Sequence, residues 1–259
     1  MTHYSTIFVA AMADEMKELT TLLKSEEKIF SEESSDLPLK LLESAPILCI
    51  TSGIGMVNAA ATLASVLKEH SCERVICFGS AGGLSPDSRV QQVVVGTEYI
   101  NSGADGTAFG YLRGQVPGEP PVFTADAELL KIAQSLQNTN LQDAKSFADE
   151  NSSNPENTLR FAPMTSSDFF VTEKNVGDVR ELFPEAVTAD METQAFAQVC
   201  NKAKIPFIAV RAISDLCGNP DDQSVSFHAE LPIVASLAAK TALAIHNVAT
   251  SEDLETNKL

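Results

Sequence analysis

Short runs of consecutive apolar residues alternate along the chain with segments in which apolar positions recur every three or four residues. Ile7-Phe-Val-Ala-Ala11 is an unbroken apolar run, and residues 13–24 then take helical spacing. Residues 38–42 and 47–51 predict paired strands around a turn at Ser44-Ala-Pro46. A helix follows Ser52-Gly-Ile-Gly55, with Val57, Ala60, Ala61, Ala64 and Leu67 predicted on its apolar face. Residues 74–78 form the next strand, with a turn at Gly79-Ser-Ala-Gly-Gly83, and Val93-Val-Val95 opens another. Residues 125–136 are predicted helical, and 187–190 form a strand running into a helix over 192–202. Residues 206–213 are a strongly apolar strand, and 231–248 close the chain as a helix. Apolar strands between amphipathic helices predict an α/β protein whose sheet is covered on both faces.

No internal repeat is visible. The polar stretch 142–160, rich in Ser and Asn, is expected to be a long surface loop, because strand–helix alternation resumes after it. One domain over 1–259 is therefore expected, with a frayed tail at 251–259.

Composition narrows the function. The chain has 259 residues, 18 Lys+Arg against 35 Asp+Glu, a net charge of −17 and 44% hydrophobic residues. That apolar fraction excludes intrinsic disorder, and so acidic a surface argues against nucleic acid and anionic membranes as partners. The cysteines, Cys49, Cys72, Cys77, Cys200 and Cys217, are odd in number and contain no CxxC pair. They read as reduced, buried thiols of a cytoplasmic protein. The N-terminus lacks a basic segment before its apolar run, so no signal peptide is expected. No apolar stretch reaches the roughly 18–20 residues of a membrane span, and 231–248, interrupted by Pro232, Lys240 and His246, reads as a core helix.

Ligands of open α/β sheets bind beyond the carboxyl ends of the strands. The residues expected there are 12–15, 52–55, 79–83, 190–193 and Ser214 with Asp215. Three acids fall among them: Glu15, Glu192 and Asp215. Each has an ordinary explanation, Glu15 and Glu192 as acids favoured at a helix start and Asp215 as a cap. Their joint placement at strand ends favours a shared site. The glycine run 79–83 could cradle a phosphate, or could mark close backbone packing. It has neither a P-loop Lys-Ser/Thr nor a GxGxxG pattern. His3, His70, His228 and His246 are scattered without metal spacing, and no GxSxG occurs, so a zinc or serine hydrolase is disfavoured and neither metal nor cofactor is expected.

Seven segments taken together carry a family resemblance: Ala10-Ala-Met-Ala-Asp-Glu15, Ser52-Gly-Ile-Gly55, Gly79-Ser-Ala-Gly-Gly-Leu84, Thr107-Ala-Phe-Gly-Tyr111 with Gly114-Gln-Val-Pro117, Ser167-Asp-Phe-Phe170, Ala189-Asp-Met-Glu192 and Val210-Arg-Ala-Ile-Ser-Asp215. In this order they resemble bacterial 5′-methylthioadenosine/S-adenosylhomocysteine nucleosidases, of the purine nucleoside phosphorylase/uridine phosphorylase superfamily. The resemblance implies a three-layer α/β/α sandwich with a mixed, partly barrel-like central sheet, and hydrolysis of an N-ribosidic bond. It assigns Asp215 to protonation of adenine N7, Glu15 to activation of water and Glu192 to the ribose hydroxyls. Met191 would pack on the sugar, Ser80 and Arg211 would help place the water, and the backbone at Phe170 and Val171 would read the adenine edge. Met12, Ile54 and Phe227 would line the ribose and 5′-substituent pocket, with Ser214 also in the site. Phe109 and Pro117 would reach into the site of a neighbouring subunit, implying a homodimer. The chain departs from the family pattern at Ala13 and Met56, at Asp190, which stands where a Glu is common, and in its longer 142–160 loop.

The chemistry is consistent with those residue types. Breaking a glycosidic bond builds positive charge on the sugar and negative charge on the base, so an acid at the base and an anion near the sugar both help. Asp215 would have to keep its proton near neutral pH. A phosphorolytic relative is disfavoured by the acidic first segment and net charge; an aminofutalosine or 5′-deoxyadenosine nucleosidase remains open. A nucleoside-binding protein without catalysis is disfavoured by the retained acids.

Overall fold

The computed structural model describes residues 2–25, 31–33, 40–44, 47–138, 159–219 and 223–256. The strands are β1 (Thr2–Ala10), β2 (Ser31–Glu33), β3 (Lys40–Ser44), β4 (Ile47–Thr51), β5 (His70–Gly83), β6 (Val93–Asn101), β7 (Phe123–Thr124), β8 (Arg160–Ser166), β9 (Thr188–Asp190) and β10 (Phe207–Leu216). The helices are α1 (Ala13–Ser25), α2 (Met56–Glu69), α3 (Ala127–Asn138), α4 (Val176–Leu182), α5 (Thr193–Ala203) and α6 (Gln223–Thr256). The strands form one mixed sheet in the order β10-β6-β8-β9-β5-β1-β4-β3-β2. β10 also pairs with β5, which closes β5, β10, β6, β8 and β9 into a five-stranded ring.

The apolar strands are buried on both faces because successive side chains feed different cores. From β1, Ile7 and Val9 enter one cluster and Phe8 and Ala10 the other; from β5, Val75 and Cys77 separate from Ile76 and Phe78 in the same way. Helices α2 and α5 cover the first cluster through Leu63, Val66, Phe196 and Cys200. Helices α1, α3 and α6 cover the second through Leu19, Leu23, Ile132, Val234 and Ile245. The result is three layers, helix–sheet–helix, with a barrel-like end where the sheet closes.

Four sequence expectations change. The buried face of α2 is Ala59, Thr62, Leu63 and Val66, while Val57 is 75% exposed and Ala61 and Ala64 are exposed as well. Small apolar residues surround this helix, so spacing alone does not select a face. Residues 79–83 are not a turn but the last part of β5, pairing with β9 at Gly82 and Gly83 and with β10 throughout. Close packing explains the glycines, since a Cβ at Gly82 would stand 2.7 Å from Cys217 Sγ. Ser214 and Asp215 lie inside β10 rather than after it. Helix α6 starts at Gln223 and runs 34 residues, through the tail expected to fray, as far as Thr256.

The Ser224–Ser251 part of α6 is long and apolar enough to cross a membrane by length and composition. It lies on the sheet instead, with Val234, Ala238, Ala239, Ala242 and Ile245 fully buried within the protein. The expected loop at 142–160 falls on residues outside the described set, except for Leu159 and for Arg160, which begins β8 and pairs with Val94. The cysteines form no disulfide; Cys49, Cys77, Cys200 and Cys217 are buried and Cys72 is partly so.

Candidate active site

A cavity with about 640 Å³ of atom-free space, counting its open mouth, lies where β1, β5, β9 and β10 end. Its walls bring together Glu15, Glu192 and Asp215, three acids far apart in the chain.

Glu15 is buried in the first turn of α1. Its Oε2 accepts the Met12 N–H at 3.1 Å, the backward bond of a capping box. Its Oε1 accepts both the Ser80 N–H at 2.7 Å and the Ser80 hydroxyl at 2.9 Å. The ordinary role as a helix-start acid and a role in the cavity therefore coexist. The glycine run offers its Ser80 amide to this carboxylate rather than to a phosphate. Gly79 must lack a side chain, because a Cβ there would stand 2.6 Å from Glu15 Oε1 and 2.8 Å from Arg211 Nη1.

Glu192 is the residue before α5 but does not cap it. Asp190 does so, its Oδ1 accepting the Glu192 and Thr193 N–H groups at 2.9 and 2.8 Å and the Ser166 hydroxyl at 2.8 Å. Glu192 can thereby reach across the cavity, where Oε1 accepts the Gly55 N–H at 2.9 Å and Oε2 lies 3.4 Å from Arg211 Nη2. Burial raises the Glu192 carboxyl from 4.5 to about 7, opposed by Arg211 and reinforced by Asp190.

Arg211 is buried and fully engaged. Its Nε donates to Thr193 Oγ1 at 2.9 Å, its Nη1 donates to the Ser80 carbonyl at 3.1 Å, and Asp190 Oδ2 lies 3.5 Å from Nε. Burial works against its charge, but Asp190 and Glu192 hold it above its ordinary value. Among the described residues it is the one cation lining the cavity.

Asp215 reaches the cavity through a break in β10. The pairing with β5 shifts register between Ile213 and Asp215. In a regular strand adjacent side chains face opposite ways, whereas a bulge turns one of them. Ser214 and Asp215 both line the cavity, and the Ser214 hydroxyl donates to Asp215 Oδ1 at 2.7 Å.

The remaining expected residues divide cleanly. Met12, Ile54, Ser80, Phe170, Val171, Met191 and Phe227 all line the cavity. The Phe170 carbonyl accepts from Asn175 Nδ2 at 3.1 Å, which fixes the direction of that backbone. Phe109 and Pro117 do not line it; both are exposed, Phe109 at 83%. Sequence reasoning did not single out Phe169 or Cys217 as wall residues, nor Asp190 as the cap that releases Glu192. The signal for each was adjacency to a chosen residue. Burial pushes the Cys217 thiol up to about 12, with the Asp215 charge adding to it. Among the described residues no group of three or more His, Cys, Asp or Glu side chains is arranged to hold a metal ion.

Comparison with known proteins finds relatives that match most of the chain. The phosphorylase superfamily model matches residues 5–248. The 5′-methylthioadenosine/S-adenosylhomocysteine nucleosidase of a Geobacillus species (strain WCH70) is 37% identical over 204 residues, 79% of this chain and 82% of the relative. The crystal structure of the Neisseria meningitidis nucleosidase of the same name, in complex with methylthio-immucillin-A, superposes with a TM-score of 0.79 at 30% identity, covering 95% of this chain and 98% of that one. The corresponding Colwellia psychrerythraea structure, in complex with adenine, gives a TM-score of 0.76 at 27% identity, covering 95% of each chain.

Proposed function

The chain belongs to the phosphorylase superfamily and, within it, to the 5′-methylthioadenosine/S-adenosylhomocysteine nucleosidases, and we propose that the cavity between β1, β5, β9 and β10 hydrolyses the N-ribosidic bond of those two nucleosides. The protein is an N-glycosyl hydrolase by that membership. One observation carries the assignment of the site: Glu15, Glu192 and Asp215 converge on a single cavity with apolar walls.

In this reading, Asp215 donates its proton to adenine N7 as the C1′–N9 bond breaks. Glu15 takes a proton from the water that attacks C1′. Its acceptor bonds from Met12 and Ser80 aim the carboxylate. Glu192 holds the ribose hydroxyls and faces the positive charge that develops on the sugar. Ser80 and Arg211 fix the water side. The backbone at Phe170 and Val171 reads the adenine edge. Met191, Met12, Ile54 and Phe227 supply apolar surface for the sugar and the 5′ thioether.

Water is favoured over phosphate because Arg211, the one lining cation among the described residues, is already engaged by Asp190 and Glu192. A phosphate entering here would meet carboxylates. Release of adenine from methylthioadenosine, S-adenosylhomocysteine, 5′-deoxyadenosine and aminofutalosine, each with and without phosphate, tests the reading. Phosphate-independent adenine release from the first two supports it. A strict phosphate requirement with a ribose 1-phosphate product, or release from aminofutalosine alone, overturns it.

The homodimer belongs to the same proposal. Phe109 and Leu112 stand out at 83% and 63% exposure, and Ile54 and Val57 form a second exposed apolar area at 53% and 75%. Large apolar side chains left in water mark interaction surfaces. In this reading Phe109 and Pro117, both exposed, complete the site of a partner. We place the enzyme in the cytoplasm, as one soluble domain with reduced thiols.

A further inference from the structure

We propose that Asp168 is a positioning residue that ties the sugar wall of the cavity to its base wall. Asp168 does not line the cavity. Its Oδ1 accepts the N–H of Met56, the first residue of α2, at 2.8 Å. Helix α2 has no acidic residue in its first turn and its N-cap, Gly55, has no side chain. Its leading N–H groups therefore depend on an acceptor from elsewhere in the chain. Asp168 is that acceptor, 112 positions away.

The two walls differ in how they are held. The base wall has its own braces: the Ser167 N–H donates to the Asp190 carbonyl at 3.1 Å, and Asn175 Nδ2 donates to the Phe170 carbonyl at 3.1 Å. On the sugar wall, the Gly55 N–H donates to Glu192 at 2.9 Å, so Glu192 and Asp168 grip adjacent amides. Gly55 fits between them at φ +102°, where a Cβ would stand 3.1 Å from Asp168 Oδ1. Releasing Met56 leaves Gly55 and Ile54 free to drift from the Glu192 carboxylate that they help aim. A free base touches one wall, whereas a nucleoside spans both. Loss of the tie should therefore weaken nucleoside binding and spare adenine.

The inference rests on the proposed nucleosidase reading, and the test separates the two. Kinetics with methylthioadenosine and direct binding of free adenine are measured for the full chain and for Asp168→Ala, Asp168→Asn and Met56→Pro, with Tm as a check on folding. Proline suits the first helical position, so Met56→Pro deletes the donor with little cost to α2. Asp168→Ala and Met56→Pro should each raise KM at least about fivefold, the scale of a charge-assisted bond at a helix start. Adenine affinity should stay within about twofold, and the double variant should be no worse than either single one. Asp168→Asn, which keeps the acceptor oxygen, should recover most of the loss. An unchanged KM in both single variants, or equal weakening of adenine and nucleoside, overturns the tie. If the unmodified chain releases no adenine, the reading of the site falls instead.

Discussion

Replacing Glu15 by Gln keeps the side chain's shape and removes its charge, and the surrounding hydrogen bonds determine the consequences. Both carboxylate oxygens accept main-chain N–H groups, Oε2 from Met12 and Oε1 from Ser80, and Oε1 takes the Ser80 hydroxyl as well. A carboxamide has one acceptor oxygen, and its NH₂ only donates. Either way round, one of these N–H groups is left facing another donor. The Ser80 side holds two donors, so the amide oxygen should turn there and the Met12 N–H should lose its partner. Stranding such a group costs about 1–3 kcal/mol, and for a chain of this length each kcal/mol lowers Tm by roughly 2–4 °C. Loss of a general base should separately lower kcat by roughly 10²–10⁴-fold, about 3–5 kcal/mol in the barrier. Ser80→Ala is the control, since it removes one donor and leaves the charge, and its kcat should fall far less. Adenine release at saturating methylthioadenosine and thermal denaturation supply both readouts. A Glu15→Gln enzyme within tenfold of normal kcat would refute the assignment as base, and an unchanged Tm would refute the two-amide grip.

Asp215→Asn should lower adenine release by roughly 10²–10⁴-fold and keep nucleoside affinity within about threefold, as single-turnover kinetics and calorimetry would show; near-normal turnover rules it out as the acid. Gly79→Ala puts a Cβ 2.6 Å from Glu15 Oε1 and 2.8 Å from Arg211 Nη1. It should cost about 1–3 kcal/mol of stability together with activity, and a normal Tm would mean that the site has slack. Stability should also depend on pH through Glu192, whose carboxyl is raised from 4.5 to about 7 by burial. A group with a raised folded value binds its proton more tightly when folded. Its stabilisation is thus complete below about pH 4.5 and is lost as the pH climbs toward 7. Wild type should therefore lose stability relative to Glu192→Gln between about pH 5 and 7, and a flat or rising difference in denaturant melts contradicts the burial argument.

The strands were legible because burial on both faces leaves an unbroken apolar run, as at residues 7–10 and 207–210. Helix α1 was legible because its polar positions interrupt a clear period. In α2 alanines lie on several sides, so the buried and exposed faces look alike in the sequence. Closure of the ring was not legible. The pairing of Arg211 with Gly79, or of Val210 with Val95, joins segments far apart in sequence, and no local pattern encodes it. The strand-end rule gathered Glu15, Glu192 and Asp215 correctly in space. It misplaced Asp215 in the chain, because a bulge inside β10 does what the end of a strand would otherwise do. Asp190 stands out in the sequence only for its residue type. Its work as the cap of α5 depends on Ser166 and the start of that helix, a relation visible only once the chain is folded.

The way each charge is compensated explains how several buried acids can share one cavity without being equivalent. Asp190 and Glu192 divide the charge of Arg211, so that pocket of three is close to balanced only when Glu192 retains a proton part of the time. Glu15 has no cation within salt-bridge distance among the described residues and is matched instead by N–H and O–H dipoles, which hold an anion without neutralising it. Asp215 has the Ser214 hydroxyl beside it. The wall therefore keeps net negative character on the Glu15 and Glu192 side, while Arg211, its one cation among the described residues, is spent internally. An anion brought in as nucleophile would be repelled there, whereas a sugar gaining positive charge would be stabilised by the same groups. That asymmetry arises from the hydrogen bonds around Glu15 and Arg211 and not from the overall acidity of the chain, most of whose carboxylates lie elsewhere.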